Sequence, residues 1–104
     1  MDNDLLTAKK MLDSGCSTVL VYNGMVLTNN KDIEVAINEF ISSKLDFKLF
    51  TLGVKEINSF ISSLIIDLNV KCIITYKLSN IAKDNLEKNN IKCSYKELII
   101  EVEN

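Results

Sequence analysis

The chain has 104 residues, a net charge of −2, 47% hydrophobic and 25% charged residues, values typical of one soluble globular domain spanning 1–104. It contains no Arg, the side chain best suited to bidentate contacts with phosphate and guanine, so we expect no nucleic-acid partner. It also contains no His, which removes the commonest general base and the commonest ligand of catalytic zinc.

The N-terminal part of the chain predicts a helix followed by a β-hairpin. Apolar side chains recur at helical spacing over 4–14, and Gly15 directly after them favours the end of a helix. Two short apolar runs, 19–22 and 25–28, are separated by Asn23-Gly24. Because both residues of this dipeptide accept a positive φ, the pattern is typical of a two-residue hairpin turn.

The middle of the chain predicts two amphipathic helices around one strand. Residues 31–44 place their apolar side chains on one helical face, with Asn29 or Asn30 as the candidate cap. Residues 48–52 predict a short strand. A second apolar stripe covers a wide arc over 54–68, which predicts the most deeply buried helix of the fold.

The C-terminal third predicts a strand, a helix and a last strand. The apolar run at 71–76 indicates a buried strand, and Ser79 is a candidate N-cap for the helix that follows. Asn89-Asn90 favours a left-handed helix stop. Residues 91–95 predict the final strand, and an apolar segment follows at 98–102. The complete order is then α-β-β-α-β-α-β-α-β.

This order predicts an α/β fold in which a five-stranded mixed sheet lies between helices, as an α-β-α sandwich. A chain that begins with a helix and a tight hairpin and continues with βαβ crossovers resembles the cytidine-deaminase-like fold. The segment 70–98 resembles the domain of unknown function 1893 (DUF1893) family, an uncharacterised prokaryotic group, and the hairpin sequence VLVYNGMVLT is similar to that of the family as well. The matching residues in the segment are Ser79, Leu86-Glu87-Lys88, Ile91, Ser94-Tyr95 and Leu98.

The chain departs from this family at the family's charged and glycine-containing motif. Family members have an Asp-Lys pair and then a Gly-Lys step at the start of the central helix. Here Lys55 keeps the first family Lys, whereas Val54, Asn58 and Ser59 replace the other three residues. The family's Gly-rich C-terminal tail, with its Cys-Pro element, has no counterpart. The resemblance therefore implies a divergent member that has lost much of the family site.

A zinc deaminase needs a His or Cys followed by Glu at the start of one helix, and Pro-Cys-x-x-Cys at the start of the next. At the first position the chain offers Val54-Lys55-Glu56, which contains the Glu and no zinc ligand. At the second it offers Lys77-Leu78-Ser79-Asn80, which contains no thiol. We therefore expect a deaminase-like fold without a zinc site, with no metal and no other cofactor.

The three cysteines predict neither a disulfide framework nor a metal motif, because they are odd in number and widely spaced. Cys72 and Cys93 fall in predicted strands, and Cys72, flanked by Val70 and Ile73, is expected to be a core thiol. Cys16 lies at a helix exit and is expected to be more exposed. The acidic start of the chain and the lack of a long apolar run predict neither a signal peptide nor a membrane span. We therefore expect a cytoplasmic protein with reduced thiols.

Polar residues at the predicted starts of two helices form the candidate ligand-binding site. They are Lys55, Glu56, Asn58, Ser59, Ser79 and Asn80. Free backbone N–H groups at a helix N-terminus favour an anion, and the Lys55 ammonium group adds a positive charge. The same residue types are also common as solvated helix caps, so both interpretations stay open.

Two functions are compatible with these residues. The first is a non-catalytic domain that acts by interaction with an unidentified partner or by self-association as a homo-oligomer. The alternative is a binder of a small anionic metabolite or nucleotide-like ligand, which uses the helix N-termini near Val54 and Ser79. An enzyme is disfavoured, because the chain lacks His, zinc ligands and a nucleophile-base pair, and its carboxylates show no convincing catalytic spacing.

Overall fold

The computed structural model describes residues 2–102, which form four helices and five strands. In chain order they are α1 (Asn3–Asp13), β1 (Thr18–Tyr22), β2 (Met25–Asn29), α2 (Ile33–Ser42), β3 (Thr51–Ile57), α3 (Ser59–Leu68), β4 (Cys72–Ser79), α4 (Asn80–Lys88) and β5 (Lys92–Ile99). The order of elements is the one predicted from the sequence. No helix in this part of the chain is both long and apolar enough to cross a membrane.

The five strands form one sheet with the order β2-β1-β3-β4-β5. β1 pairs antiparallel with β2 and β3, whereas β3, β4 and β5 run parallel to one another. The predicted five-stranded mixed sheet is therefore confirmed. Because the three parallel strands end at the same edge, their carboxyl ends lie together, and this is the usual place for a ligand in a parallel sheet.

Helices cover both faces of the sheet. On one face, Ala8 and Leu12 of α1 form a small apolar cluster with Val19 and Val21 of β1. α2, α3 and α4 lie on the other face over a larger core, since successive strand side chains point to opposite faces. The fully buried side chains of this core include Leu20, Ile37, Leu52, Ile65, Ile73 and Leu78.

Gly53 of β3 allows α1 to approach the sheet closely. A Cβ atom at this position would lie 2.8 Å from Val19 Cγ1 and 3.2 Å from the Cβ of Ala8. Both distances are too short for an ordinary contact between carbon atoms, which is about 3.5–4.0 Å. The absence of a side chain at position 53 therefore sets how closely α1 packs against the sheet.

The local signals predicted at the turns and helix ends are confirmed. Asn23 and Gly24 have φ values of 48° and 86°, as the two-residue hairpin turn requires. Gly15 after α1 has φ of 111°, and Asn90 after α4 has φ of 58°. The Ser79 hydroxyl accepts a backbone hydrogen bond of 3.0 Å from the first turn of α4, so Ser79 is the N-cap of that helix.

The boundary between β3 and α3 differs from the prediction. The strand predicted at 48–52 and the helix predicted from residue 54 are wrong, because β3 runs over Thr51–Ile57 and α3 begins only after it. Val54 and Ile57 are buried strand residues in a segment that pairs with β4. Because Val54 and Ile57 lie at helical spacing from the apolar residues of α3, the sequence pattern predicted that they belong to the same helix. Val54 is therefore not at a helix N-terminus.

Three further expectations are wrong in detail. Asp32, rather than Asn29 or Asn30, holds the N-cap position of α2, because Asn29 still belongs to β2. The last strand is longer than predicted and extends over Lys92–Ile99, since it pairs with β4 along that length. Cys16 is buried rather than exposed, because the chain turns back toward the sheet after α1.

Candidate functional site at the starts of two helices

The starts of α3 and α4 lie side by side, because each follows directly from one of two neighbouring parallel strands. The Oδ1 atom of Asn58 accepts a hydrogen bond of 2.9 Å from the N–H of Ile61, which makes Asn58 the N-cap of α3. Ser79 has the same position in α4. Each cap satisfies one backbone donor of the first turn and leaves other donors available.

The carboxylate of Glu101, in the segment after β5, binds across these helix starts. Its Oε1 atom accepts a hydrogen bond of 3.0 Å from the backbone N–H of Ser59, and its Oε2 atom accepts one of 2.7 Å from the Ser59 hydroxyl. The backbone N–H of Glu101 donates to Oδ1 of Asn80 at 2.7 Å. The chain thus supplies its own anion where the sequence predicted an anionic ligand.

The surroundings of Glu101 favour its charged form. The nearby hydroxyl groups of Ser79 and Ser59, of which that of Ser59 donates a hydrogen bond, hold the pKa of the Glu101 carboxyl below its ordinary value, and partial desolvation opposes them. The N-terminus of α3 acts in the same direction as the hydroxyl groups, since it carries a partial positive charge. Glu101 is therefore a carboxylate at neutral pH.

A cleft of about 280 Å³ lies beside this carboxylate. It is lined by Glu56, Ile57, Asn58, Lys77, Ser79, Ile99 and Glu101. Its two carboxylates outweigh its one ammonium group, so the lining is net negative while Glu101 is in place. An anionic ligand would have to displace Glu101 before it could use the free donors of α3.

Five of the predicted site residues are brought to this place, and one is not. Glu56, Asn58, Ser59, Ser79 and Asn80 lie at the carboxyl ends of β3 and β4 or at the helix starts that follow.

Lys55 lies apart from the other five. It is a residue of β3 whose backbone N–H donates to the Ser17 carbonyl at 3.2 Å, and its side chain lines a different cleft together with Tyr76 and Lys96. The prediction that Lys55 belongs with Asn58 and Ser59 is wrong, because the chain at Lys55 is still a strand.

Glu101 is the residue at this site that sequence reasoning missed. The one signal available was a single carboxylate among the apolar residues of the segment 98–102. An isolated charge in such a run needs a partner if the run packs against the fold, but the sequence does not name that partner.

The titratable groups with strongly raised pKa values offer no nucleophile at neutral pH. Burial raises the pKa of the Cys93 thiol to about 12. Desolvation and a hydrogen bond to the Asp13 carboxylate raise the pKa of Tyr76 to about 12. In the part of the chain that the structure describes, no group of three or more His, Cys, Asp or Glu side chains is arranged to hold a metal ion.

No family model and no curated protein matches this sequence. The crystal structure of a DUF1893 family protein from Thermotoga maritima matches with a TM-score of 0.82 over 100% of this chain and 72% of that chain, at 15% sequence identity. The chain has the fold of this DUF1893 protein. The family resemblance predicted from the segment 70–98 is thereby confirmed for the fold. At 15% sequence identity, the match shows the fold alone.

Proposed function

We propose that the protein is a divergent DUF1893 member with a metal-free, cytidine-deaminase-like fold, and that it acts without catalysis by associating with a second copy of itself through β5. The shared fold and the Ser-led helix α4 support the family part of this proposal. The absence of His from the sequence supports its non-catalytic part, since His is the commonest general base.

The observation that carries the proposal is the open outer edge of β5. β5 is the last strand of the sheet, and no residue within 2–102 pairs with its outer side. Such an edge presents a row of backbone donors and acceptors that a further strand can pair with. With eight residues it is longer than β2, the five-residue strand at the opposite edge.

Exposed apolar side chains accompany this edge. Tyr95 and Leu98 in β5 are 41% and 43% exposed, and Ile100 and Val102 beyond it are 71% and 78% exposed. Removing apolar surface from water contributes roughly 25 cal/mol per Å². Pairing at the edge would bury part of this apolar surface in the same step, so both features favour a partner that adds a strand here.

The order of charges along β5 disfavours some registers of a pair of copies and is compatible with an axis at Tyr95. Two antiparallel copies related by a two-fold axis pair about a single residue, because opposite side chains must share a face. An axis at Lys96 or at Glu97 would place like charges directly opposite each other, which is destabilising. An axis at Tyr95 instead pairs the two tyrosine rings and sets Ser94 opposite Lys96 of the partner copy.

Sedimentation equilibrium over a range of protein concentrations tests this proposal. We expect a monomer–dimer equilibrium that Leu98→Lys shifts toward monomer, because an axis at Tyr95 places position 98 opposite Lys92 of the partner copy, and like charges opposite each other are destabilising. Val35→Lys is the matched control, since Val35 lies on α2 and is 44% exposed against 43% for Leu98. A monomer at every concentration, or equal weakening by both substitutions, would overturn the proposal.

The variant Tyr95→Cys tests the register. Opposite residues of an antiparallel pair have Cβ atoms about 4.5–5.5 Å apart, close to the separation that a disulfide needs. Under mild oxidation we expect this variant to form a dimer linked at position 95, as identified by peptide mapping. Lys92→Cys, at the end of the strand, should remain unlinked to its own copy. Linkage at 92 rather than 95 would contradict an axis at Tyr95.

A second candidate function is binding of a small anionic metabolite or nucleotide-like ligand at the starts of α3 and α4. The contacts between Glu101 and Ser59 favour it, because a phosphate or carboxylate ligand would use the same donors. Glu101→Ala would free those donors. We expect nucleotides or sugar phosphates to raise the Tm of this variant and not that of the wild type. A response in neither protein would remove this candidate.

A further inference from the structure

We propose that the protein binds a compact polyanion of the diphosphate or triphosphate class on the sheet face beyond the end of α1. The binding groups are the ammonium groups of Lys55 in β3, Lys77 in β4 and Lys96 in β5. This site lies on the face that α1 covers in part, and Lys77 lines both this cleft and the cleft beside Glu101. Binding here depends neither on self-association through β5 nor on displacement of Glu101.

α1 covers only part of its face of the sheet. It contacts β1, β3 and β4 and ends at Asp13, so the carboxyl-terminal parts of β3, β4 and β5 continue beyond it. An open cleft of about 1020 Å³ lies there. Its lining residues are Leu12, Asp13, Gly15, Lys55, Tyr76, Lys77, Lys96 and Glu97.

The parallel register brings lysines from three strands to this cleft. Val54, Thr75 and Tyr95 pair across the three strands, as do Glu56, Lys77 and Glu97. Lys55, Tyr76 and Lys96 each lie between these two sets of partners, and Lys77 follows Tyr76 in β4. Neighbouring strands are about 4.8 Å apart, so the backbones at Lys55 and Lys96 are separated by roughly 10 Å. Lysine side chains are long and flexible enough to converge on one anion from that distance.

Lys77 pairs in the sheet with Glu56 of β3 and Glu97 of β5, but no close ion pair neutralises the three lysines of the cleft within the described residues. Within residues 2–102, none of their ammonium groups has a carboxylate oxygen within 4.0 Å. The lysines whose ammonium groups do lie within 4.0 Å of a carboxylate oxygen are Lys9, Lys31, Lys48, Lys71 and Lys83. Lys55 is moreover partly buried, where an unpaired charge is less favourable than at full exposure. An anion in the cleft would offset that cost.

One of the two acidic groups in the cleft is already engaged. The Asp13 carboxylate accepts hydrogen bonds from the Lys9 ammonium group, at 2.9 Å, and from the Tyr76 hydroxyl. Glu97 is the other acidic group. Three ammonium groups against this one carboxylate leave a local charge of +2, in a protein whose net charge is −2. The residues that line the cleft are therefore positive on balance, in a protein that is negative overall.

The chemistry of the cleft selects the class of anion. Lysine acts as a point charge and does not impose the planar two-bond geometry with which Arg recognises a carboxylate. Several ammonium groups spread over about 10 Å are best neutralised by a ligand with several adjacent negative charges. A diphosphate or triphosphate group has this charge density, whereas a single carboxylate does not.

Titration calorimetry with inorganic tripolyphosphate tests the site. We expect binding with one site per chain, which weakens as the salt concentration rises from about 20 mM to about 150 mM because salt screens exposed charges. Lys55→Gln, Lys77→Gln and Lys96→Gln should each weaken binding about fivefold, and the triple variant should abolish it. No binding by the wild type at millimolar tripolyphosphate would overturn the proposal.

Two exposed lysines outside the cleft provide matched controls. Lys44→Gln and Lys88→Gln remove the same charge from the loop after α2 and from the end of α4. We expect both to bind tripolyphosphate as the wild type does. If they weaken binding as much as the cleft variants, the attraction is a property of the whole surface, and the site is refuted.

A parallel measurement distinguishes a soluble phosphate from a lipid headgroup. Sedimentation with vesicles that contain phosphatidic acid reports whether the cleft binds a phosphate displayed on a membrane. Binding to vesicles that tripolyphosphate competes away assigns the headgroup to the same cleft. Binding of tripolyphosphate alone assigns a soluble ligand, and binding of neither contradicts the site.

Discussion

Glu101 and Ser59 are 42 positions apart in the chain and are joined by two hydrogen bonds, one to the backbone N–H and one to the hydroxyl of Ser59. The contact fastens the segment after β5 to the start of α3. It also places a carboxylate where a helix N-terminus attracts negative charge. The end of the described chain is therefore part of the candidate site rather than a free tail.

The charge of Glu101 gives a testable dependence of stability on pH. Its pKa is lowered in the folded protein, so its contribution is fully present above the ordinary value of 4.5 and is lost as the pH falls through the lower folded value. We expect Glu101→Gln to reduce the urea midpoint at pH 7 and to differ less from the wild type at pH 3. A difference that does not change with pH would contradict this role.

The cap of α4 gives a prediction about stability. Ser79→Ala removes the hydroxyl that accepts the hydrogen bond from the first turn, so we expect the free energy of unfolding to fall by about 1 to 2 kcal/mol. Ser63→Ala, at an exposed position of α3, is the matched control and should change it by less than about 0.5 kcal/mol. Chemical denaturation measures both, and equal effects would argue against the cap.

The close approach at Gly53 gives a third prediction. Gly53→Ala would place a Cβ atom 2.8 Å from Val19 Cγ1, so we expect a loss of about 1 to 3 kcal/mol through overpacking. Val19→Ala removes that methyl group, and the double variant should be more stable than the sum of the two single effects predicts. Strict additivity in urea unfolding would show that the two residues do not interfere.

The Cys93 thiol gives a prediction about reactivity. Because burial raises its pKa to about 12, the thiolate that reacts with iodoacetamide is scarce in the folded protein. We expect alkylation of Cys93 at pH 8 to be at least tenfold slower in the native protein than in 6 M urea, where the pKa returns to about 8.5. Peptide mapping by mass spectrometry follows the site, and equal rates would contradict the burial of the thiol.

The sequence predicted those features that depend on neighbouring residues. The Asn23-Gly24 turn, the Ser79 cap and the stop at Asn90 each follow from backbone angles or short-range hydrogen bonds that a few residues fix. Helical stripes similarly predicted α1, α2 and α4 because the period of the apolar side chains matches the helix. The order of elements came from these local patterns, whereas the DUF1893-like fold was predicted from the resemblance of the segment 70–98 and the hairpin to that family.

Tertiary structure decided the features that depend on distant partners. β3 continues to Ile57 because β4 pairs with it, and this pairing keeps Lys55 in a strand, away from Asn58. Glu101 reaches Ser59 only because the segment after β5 passes the end of β4 to the start of α3. Pairing between parallel strands and contacts between residues far apart in the chain leave no pattern among neighbouring residues. They therefore cannot be predicted from the periodicity of apolar residues or from the strand and helix propensities of single residues.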